Sequence, residues 1–358
     1  MYNHPAYTFR YYNNIQQNVL GNFKEFVRII GLDDAMLMYL NGYENKNSAP
    51  NENYSRELFE LFTLGEGNGY TQEDITETAR ALTGYNSRTN QGPISFNEKW
   101  YDDGEKTIFG RTGNWNYDDV IDILFEEKKE IIGNFICTKL YKYFISPNVN
   151  EDIVSELSTF FIENDFSLDL LYRKMFKSEH FFDTFNSNVL IKSPIDLLCN
   201  LFIQLNLEVP ENFNLDNYFI YKSRDMGQEI LNPVDVAGWQ GNHDWISTGS
   251  LPMRWDFLDD ILWKFWQKDK NQYQKYLKEI IGDNDTNPES IVKKVIDFMF
   301  CEYVIKQEDL IDAIEVFKSD VPDIYYEDGT WTINDDSVPL QTYRLVGFLI
   351  KLPEYQLK

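Results

Sequence analysis

Helical spacing dominates the apolar pattern of this chain. The stretch from Pro50 to Gly65, PNENYSRELFELFTLG, is the clearest case. Asn51 and Asn53 are placed to accept hydrogen bonds from the free N–H groups of a first turn. Tyr54, Leu58, Leu61 and Phe62 then recur at i, i+4, i+7 and i+8, which makes one side apolar. Asn53, Arg56, Glu57 and Glu60 fall on the opposite side, and Gly65 is positioned to end the helix. Similar spacing predicts helices at about 22–30, 33–40, 71–84, 117–126, 128–145, 150–163, 167–177, 193–206 and 213–230. It predicts further helices at 254–267, 271–281, 288–300, 307–318 and 338–351. Thr71 is a cap for its helix, with Glu73 and Asp74 at the positive end. Three stretches depart from the rule. Residues 93–110 read as a small β-hairpin around Asp102-Asp103-Gly104, and 322–334 as a second short one around Asp328-Gly329. Residues 231–252 are irregular and rich in Gly, Pro and Trp. No repeat and no low-complexity linker divides the chain. The expectation is a mainly α protein, a single large helical domain over 1–358 with one or two small β-hairpins.

Composition sharpens this picture in two ways. Of 358 residues, 43% are hydrophobic and 16% aromatic, so most of the chain can be packed into a core. Lys and Arg total 33 against 58 Asp and Glu, a net charge of −25. Such a chain repels phosphate backbones and anionic lipid, which argues against nucleic-acid or membrane-surface binding. Cations, neutral sugars and basic partners stay open. Cys137, Cys199 and Cys301 are far apart in apolar segments, a sparse odd set that suits buried thiols rather than disulfides or a zinc cluster. No stretch reaches the roughly 18 apolar residues of a bilayer span. The opening MYNHPAYTFRYY lacks the basic-then-apolar pattern of a signal peptide.

Motif absences narrow the chemistry. There is no G-x-S-x-G elbow, no phosphate-binding G-x-x-x-x-G-K-[ST] loop and no H-E-x-x-H. His4, His180 and His243 are the only histidines. Asp283, Asp285 and Asn287 imitate the start of a calcium loop, but Pro288 stands where that loop needs glycine and Lys294 where it needs glutamate. A helix capped by Asn287 with Pro288 in its first turn fits better.

Two constellations carry candidate chemistry. Glu57 and Glu60, with Asn53 and Arg56, place two carboxylates three apart on a helix face. Such a pair can hold a hard divalent cation or serve as acid and base, and Glu73 and Glu77 of the next helix can join them. The same residues also suit a plain polar face with an Arg56–Glu60 ion pair, or a buried network tying loops down. No further metal ligand is indicated. The second constellation is NPVDVAGWQGNHDW, residues 232–245, where Trp239 and Trp245 bracket Asn242-His243-Asp244. Aromatic faces beside amides and carboxylates suit sugar rings; a loop pinned to the core by its tryptophans is the alternative. Arg254, on the following helix, is suited either to clamping an anion or to a structural salt bridge.

Several blocks together resemble one bacterial family, domain-of-unknown-function family eighteen hundred. They are PNENYSRELFELFTLG (50–65), GYTQEDITETARALTGY (69–85), DDGEKTIFGRTGNWNYDDVIDIL (102–124), KLYKYFIS (139–146), KSPIDLL (192–198), NPVDVAGWQGNHDWISTGSLPMRWDF (232–257) and the terminal LPEYQL (352–357). The resemblance implies a largely helical domain from secreted, periplasmic or envelope-associated proteins, often encoded beside sulfatase-like partners, with no established activity. It also implies a histidine-containing FWHNHF-like segment upstream, which His4 in MYNHP does not reproduce, so an N-terminal part of the family domain is expected to be missing from 1–358. The reading that follows is a binding or assembly module for a glycan-like ligand or a protein partner, using Asn53, Arg56, Trp239, His243, Trp245 and Arg254. The alternative is a carboxylate-dependent hydrolase acting through Glu57 and Glu60, with a divalent cation as its only candidate cofactor. The binding reading needs an exposed ring face on Trp239 or Trp245; the hydrolase reading needs Glu57 and Glu60 to face a cavity.

Overall fold

The computed structural model describes residues 4–86, 92–300 and 305–358. Among them it is mainly α, with seventeen α-helices and a single two-stranded antiparallel sheet. The chain forms two compact units, one ending at Asn186 and the other beginning at Ser187, each with its own apolar core. The boundary falls in a short polar stretch rather than a low-complexity linker.

In the first unit, Asn22 and Asp33 cap the helices Phe23–Gly31 and Asp34–Tyr39 by accepting the N–H groups of Glu25 at 3.1 Å and Ala35 at 2.8 Å. A helix at Pro5–Asn18 precedes them, where the pattern predicts none. Only its Tyr7 is buried, so the sequence carries little apolar periodicity to announce it. The helix Asn53–Glu57 runs on into a wider π-helical stretch, Leu58–Thr63, in which the Leu64 N–H donates to the Phe59 carbonyl at 2.8 Å. Gly65, at φ +96°, follows it. Thr71 and Asp74 form a reciprocal capping box for Gln72–Ala81. Asn116, Asn150 and Ser167 cap Tyr117–Glu127, Glu151–Glu163 and Leu168–Phe176 in turn, and Lys129–Phe144 packs along Glu151–Glu163.

The hairpin pairs Lys106–Ile108 with Arg111–Gly113 and turns at Phe109-Gly110, not at Asp102-Asp103-Gly104. Phe109 and Gly110 have φ of +49° and +80°, the conformation of a two-residue turn that matches strand twist. The Asp102 carboxylate instead accepts the Gly104 N–H at 3.0 Å and takes the Arg80 guanidinium, which makes the predicted turn a local bend.

In the second unit, Ser193 and Asp196 box the start of Pro194–Leu205, and the core gathers around Ser250–Lys268, Asn271–Ile281, Pro288–Phe300, Gln307–Lys318 and Val338–Leu349. Asn287 accepts the Ser290 N–H at 3.0 Å, and Asp285 pairs with Lys294 at 2.7 Å. The helix predicted at 213–230 is reduced to the π-helical Asn217–Lys222 and the turn Ser223–Asp225. The second predicted hairpin is instead the short helix Ile324–Glu327, because the Trp331 N–H folds back to the Tyr325 carbonyl at 2.8 Å rather than to an opposing strand. The C-terminal segment closes the unit: Lys192 N–H donates to the Gln356 carbonyl at 2.8 Å and Lys358 N–H to the Leu190 carbonyl at 2.7 Å.

Gly31 marks the tightest approach in the first unit. A Cβ there would lie 1.9 Å from the Tyr54 hydroxyl and 2.2 Å from that of Tyr117. Both phenols are buried, and Tyr117 donates to the Arg28 carbonyl at 2.9 Å. Gly31→Ala should therefore cost about 1–3 kcal/mol of overpacking, seen as a lower urea midpoint with unchanged slope. An unaltered midpoint would mean that the phenols can step aside.

Candidate functional site

The 50–65 segment starts from a peg. Asn45 is buried; its Oδ1 accepts the Asn51 N–H at 2.8 Å, and its Nδ2 donates to the Ala79 carbonyl at 2.8 Å. Asn51 Oδ1 then accepts the Asn53 N–H at 2.9 Å, while the Asn53 side chain donates to the Leu40 carbonyl at 3.1 Å. Asn51 thus does the capping, and Asn53 ties the helix to the preceding one.

The polar side of the helix is a network shared with Gln72–Ala81. Arg56 reaches Glu52 at 3.1 Å, Glu60 at 3.3 Å and Gln72 Oε1 at 2.8 Å. Glu52 also accepts from Thr76 Oγ1 at 2.8 Å and Gln72 Nε2 at 2.7 Å. The Thr76 hydroxyl above all, with help from Gln72 and Arg56, holds the Glu52 pKa below the usual carboxylate value. Glu57 has the opposite fate. It is largely buried, and desolvation together with the charge of Glu60 pushes its pKa up. Glu77 is not drawn to this cluster: it pairs with Arg80 at 2.9 Å and accepts the Thr107 N–H at 3.0 Å, while Glu73 is exposed. Among the described residues no three His, Cys, Asp or Glu side chains are gathered as a metal site.

Beside this network lies a cleft of about 690 Å³, lined by Tyr43, Glu44, Lys46, Asn51, Glu52 and Trp100 among others. Trp100 is 38% exposed and stands on a short 3₁₀ turn, Glu98–Trp100, capped by Asn97. The Asn47 N–H donates to the Trp100 carbonyl at 2.8 Å, fixing the 43–49 loop against the tryptophan's backbone. Asn86 lines the same cleft and donates from Nδ2 to the Asn45 carbonyl at 2.8 Å. Its Oδ1 is buried with no hydrogen-bond partner among the described residues. An aromatic face, two carboxylates, an ammonium and two amides thus meet in one concavity. None of these lining residues is among the site candidates read from the sequence. Trp100 lies over fifty positions from Tyr43 and Lys46, and the only local signal is an aromatic residue beside turn-forming polar ones.

The second sequence-predicted constellation is arranged differently. Trp245 is 8% exposed, so its ring lies in the core and offers no face to a ligand. Trp239 is half-buried, with its indole N–H enclosed and unpartnered among the described residues. His243 is exposed, and Asn242 Oδ1 accepts the Ile191 N–H at 3.1 Å. This places the loop as a strut on the segment before Pro194–Leu205. Arg254 is 0% exposed: its Nε donates to Gln356 Oε1 at 2.7 Å and its Nη2 to the Lys192 carbonyl at 2.8 Å. Burial pulls its pKa down to about 10, against the favourable field of Asp196. Its Nη1 has no partner among the described residues. Arg254 is thus a core residue joining three of the sequence blocks, 192–198, 232–257 and 352–357.

Comparison with known proteins bears on nearly the full length. A family model described as "Protein of unknown function (DUF1800)" matches residues 2–357. No curated protein and no solved structure matches the chain.

The opposite shifts of Glu52 and Glu57 predict opposite pH signatures from neighbouring turns. A carboxyl whose folded pKa is raised stabilises the fold below its ordinary value of 4.5, and that stability is lost as pH rises through the folded value. Glu57→Gln should therefore be more stable than wild type at pH 7, with the gain vanishing near pH 4. A carboxyl whose folded pKa is lowered contributes above its ordinary value and loses the contribution as pH falls. Glu52→Gln should be destabilised at pH 7 and approach wild type as pH falls toward 3. Urea unfolding of both variants across pH 3–7 checks this; slopes of the same sign would contradict the two environments.

Proposed function

The chain belongs to the DUF1800 family of proteins of unknown function, and we propose that this member is a binding module for a neutral, polyhydroxylated, glycan-like ligand. The ligand is taken in the cleft between Trp100, Tyr43 and Glu52. The observation that carries this reading is the partly exposed indole of Trp100 at a concavity that also holds Tyr43, two carboxylates, an ammonium and two amides. Sugar rings present a C–H face to aromatic rings and hydroxyls to hydrogen-bonding rims. Glu52 suits the rim because Thr76, Gln72 and Arg56 already fix its position and charge, so little rotamer entropy is lost on binding. The strongly acidic composition agrees with a neutral ligand rather than a polyanionic one.

A second reading, a carboxylate-dependent hydrolase, is favoured by the raised pKa of Glu57 beside Glu60, the kind of split environment that separates an acid from its charged neighbour. In it Glu57 donates the proton to the departing oxygen, Glu60 stabilises the developing positive charge, and a water attacks the same carbon to complete the hydrolysis. Neither glutamate lines the cleft, so substrate would have to approach from another side.

Calorimetry against a panel of neutral oligosaccharides tests the first reading. Trp100→Ala should weaken binding about tenfold, the loss of one stacking contact. Trp263→Ala, which removes a tryptophan 50% exposed in the other unit, should leave it unchanged. Equal losses in both variants, or no binding by wild type, would remove the cleft as the site. Release of reducing ends from the same oligosaccharides, abolished by Glu57→Gln, would instead select the hydrolase.

A further inference from the structure

The apolar side of the 50–65 helix faces a different space from its polar side. Tyr54, Leu61 and Phe62 line a cavity of about 330 Å³ together with Phe26, Ile30, Leu140 and others from the Phe23–Gly31 and Lys129–Phe144 helices. That volume is at the lower end of the range for small-molecule pockets, about 300–1,000 Å³. Among the described residues the lining contains no acidic side chain and one cation, Lys139. Its ammonium donates to the Leu61 carbonyl at 3.1 Å and lies 5.1 Å from the Phe135 ring centre. No carboxylate pairs with it among the described residues, in a chain where 58 acidic residues make paired lysines and arginines the common arrangement. The residue is solvent-exposed, so the ammonium stands at the mouth of the cavity, where apolar neighbours lower its pKa from the ordinary lysine value by partial desolvation.

We propose that this cavity is a binding site for an aliphatic monocarboxylate, with the tail among Phe26, Ile30, Leu61, Phe62 and Leu140 and the carboxylate paired with Lys139. An apolar chamber with one orienting charge is how a pocket selects an amphiphile with one head group. The carboxylate supplies the anion that Lys139 lacks, and the tail removes apolar wall from water. The volume suits one short chain rather than the face of a partner helix. This site is separate from the polar cleft, since no residue lines both.

Calorimetry with hexanoate, octanoate and decanoate on wild type, Lys139→Met, Lys139→Arg and Trp100→Ala tests the assignment, with 1-decanol as the uncharged probe. Each added methylene should tighten wild-type binding about fourfold until the cavity is full. Lys139→Met keeps the aliphatic stem and should weaken decanoate at least tenfold while changing 1-decanol by less than twofold. Lys139→Arg should restore most of the decanoate affinity, and Trp100→Ala should leave it intact. Matching thermal midpoints for the unliganded variants confirm that all are folded. Failure of wild type to bind decanoate, equal binding by Lys139→Met, or 1-decanol binding as tightly as decanoate would each overturn the proposal.

Discussion

From Leu58 to Thr63 the backbone leaves the α-helical register, and the Thr63 hydroxyl donates to the Leu58 carbonyl at 2.5 Å as the turn widens. The widened turn changes which side chains meet which surroundings. Phe59 goes fully into the core against Tyr70 and Phe109, while Leu61 and Phe62 stop at the wall of a cavity. Glu57 is pressed inward, and Glu60 stays in reach of Arg56. A π-turn weakens local hydrogen bonding, and such turns occur often at functional sites. Here Lys139 takes up the Leu61 carbonyl, so a side chain from another helix holds the turn open. One short helix thereby serves a core, a polar cleft at its start and an apolar chamber along its side.

The placement of cations is the second constraint. Lys106 is 1% exposed and donates to the Asp102 carbonyl, to Asn114 Oδ1 at 3.2 Å and to the Tyr101 hydroxyl at 3.4 Å. Arg254 likewise donates to an amide oxygen and a carbonyl. Neutral oxygens gather around buried charges because burying a compensating carboxylate as well would add a second desolvation penalty. Hydrogen bonds to a charged donor are worth roughly 1.5–3 kcal/mol each, enough for a few of them to hold a loop against the core. In the second unit the result is that three segments far apart in sequence, at 192, 254 and 356, are tied by one guanidinium.

Most of the helical architecture is legible in the chain, because capping residues and apolar spacing act locally. Thr71, Asn150, Ser167 and Ser193 each cap the helix whose start they mark. The errors come where a long-range partner overrides a local signal. Asp102-Asp103-Gly104 has good turn chemistry, yet Arg80 from another helix claims the Asp102 carboxylate and the hairpin turns seven residues later. Tryptophans are the other case. Trp245 and Trp100 sit in similar polar, turn-rich sequence, and nothing local says that one fills the core and the other stands at a cleft. The polar network around Arg56 is half legible: Arg56–Glu60 follows from spacing, whereas Glu52, Gln72 and Thr76 require the next helix to be in place.

A net charge of −25 is compatible with the monocarboxylate site proposed at Lys139 once distance is considered. At physiological ionic strength charges more than about 8 Å apart in water are largely screened, so scattered surface carboxylates govern the approach of an anion more than its final position. At the mouth of an apolar chamber the final position is set by the nearest charge, and apolar walls on one side strengthen that contact relative to open water. Lys139 is that charge, and among the described residues no acid shares the chamber's walls. The acidic surface then acts as a filter on association. A small monoanion pays the repulsion once and regains it at the ammonium, while a polyanion pays for every charge and meets one cation. The same acidity costs a neutral sugar nothing at the polar cleft. The two proposed sites of the first unit thus differ in the ligands they would favour, one at the start of the helix Asn53–Glu57 and one along its apolar side.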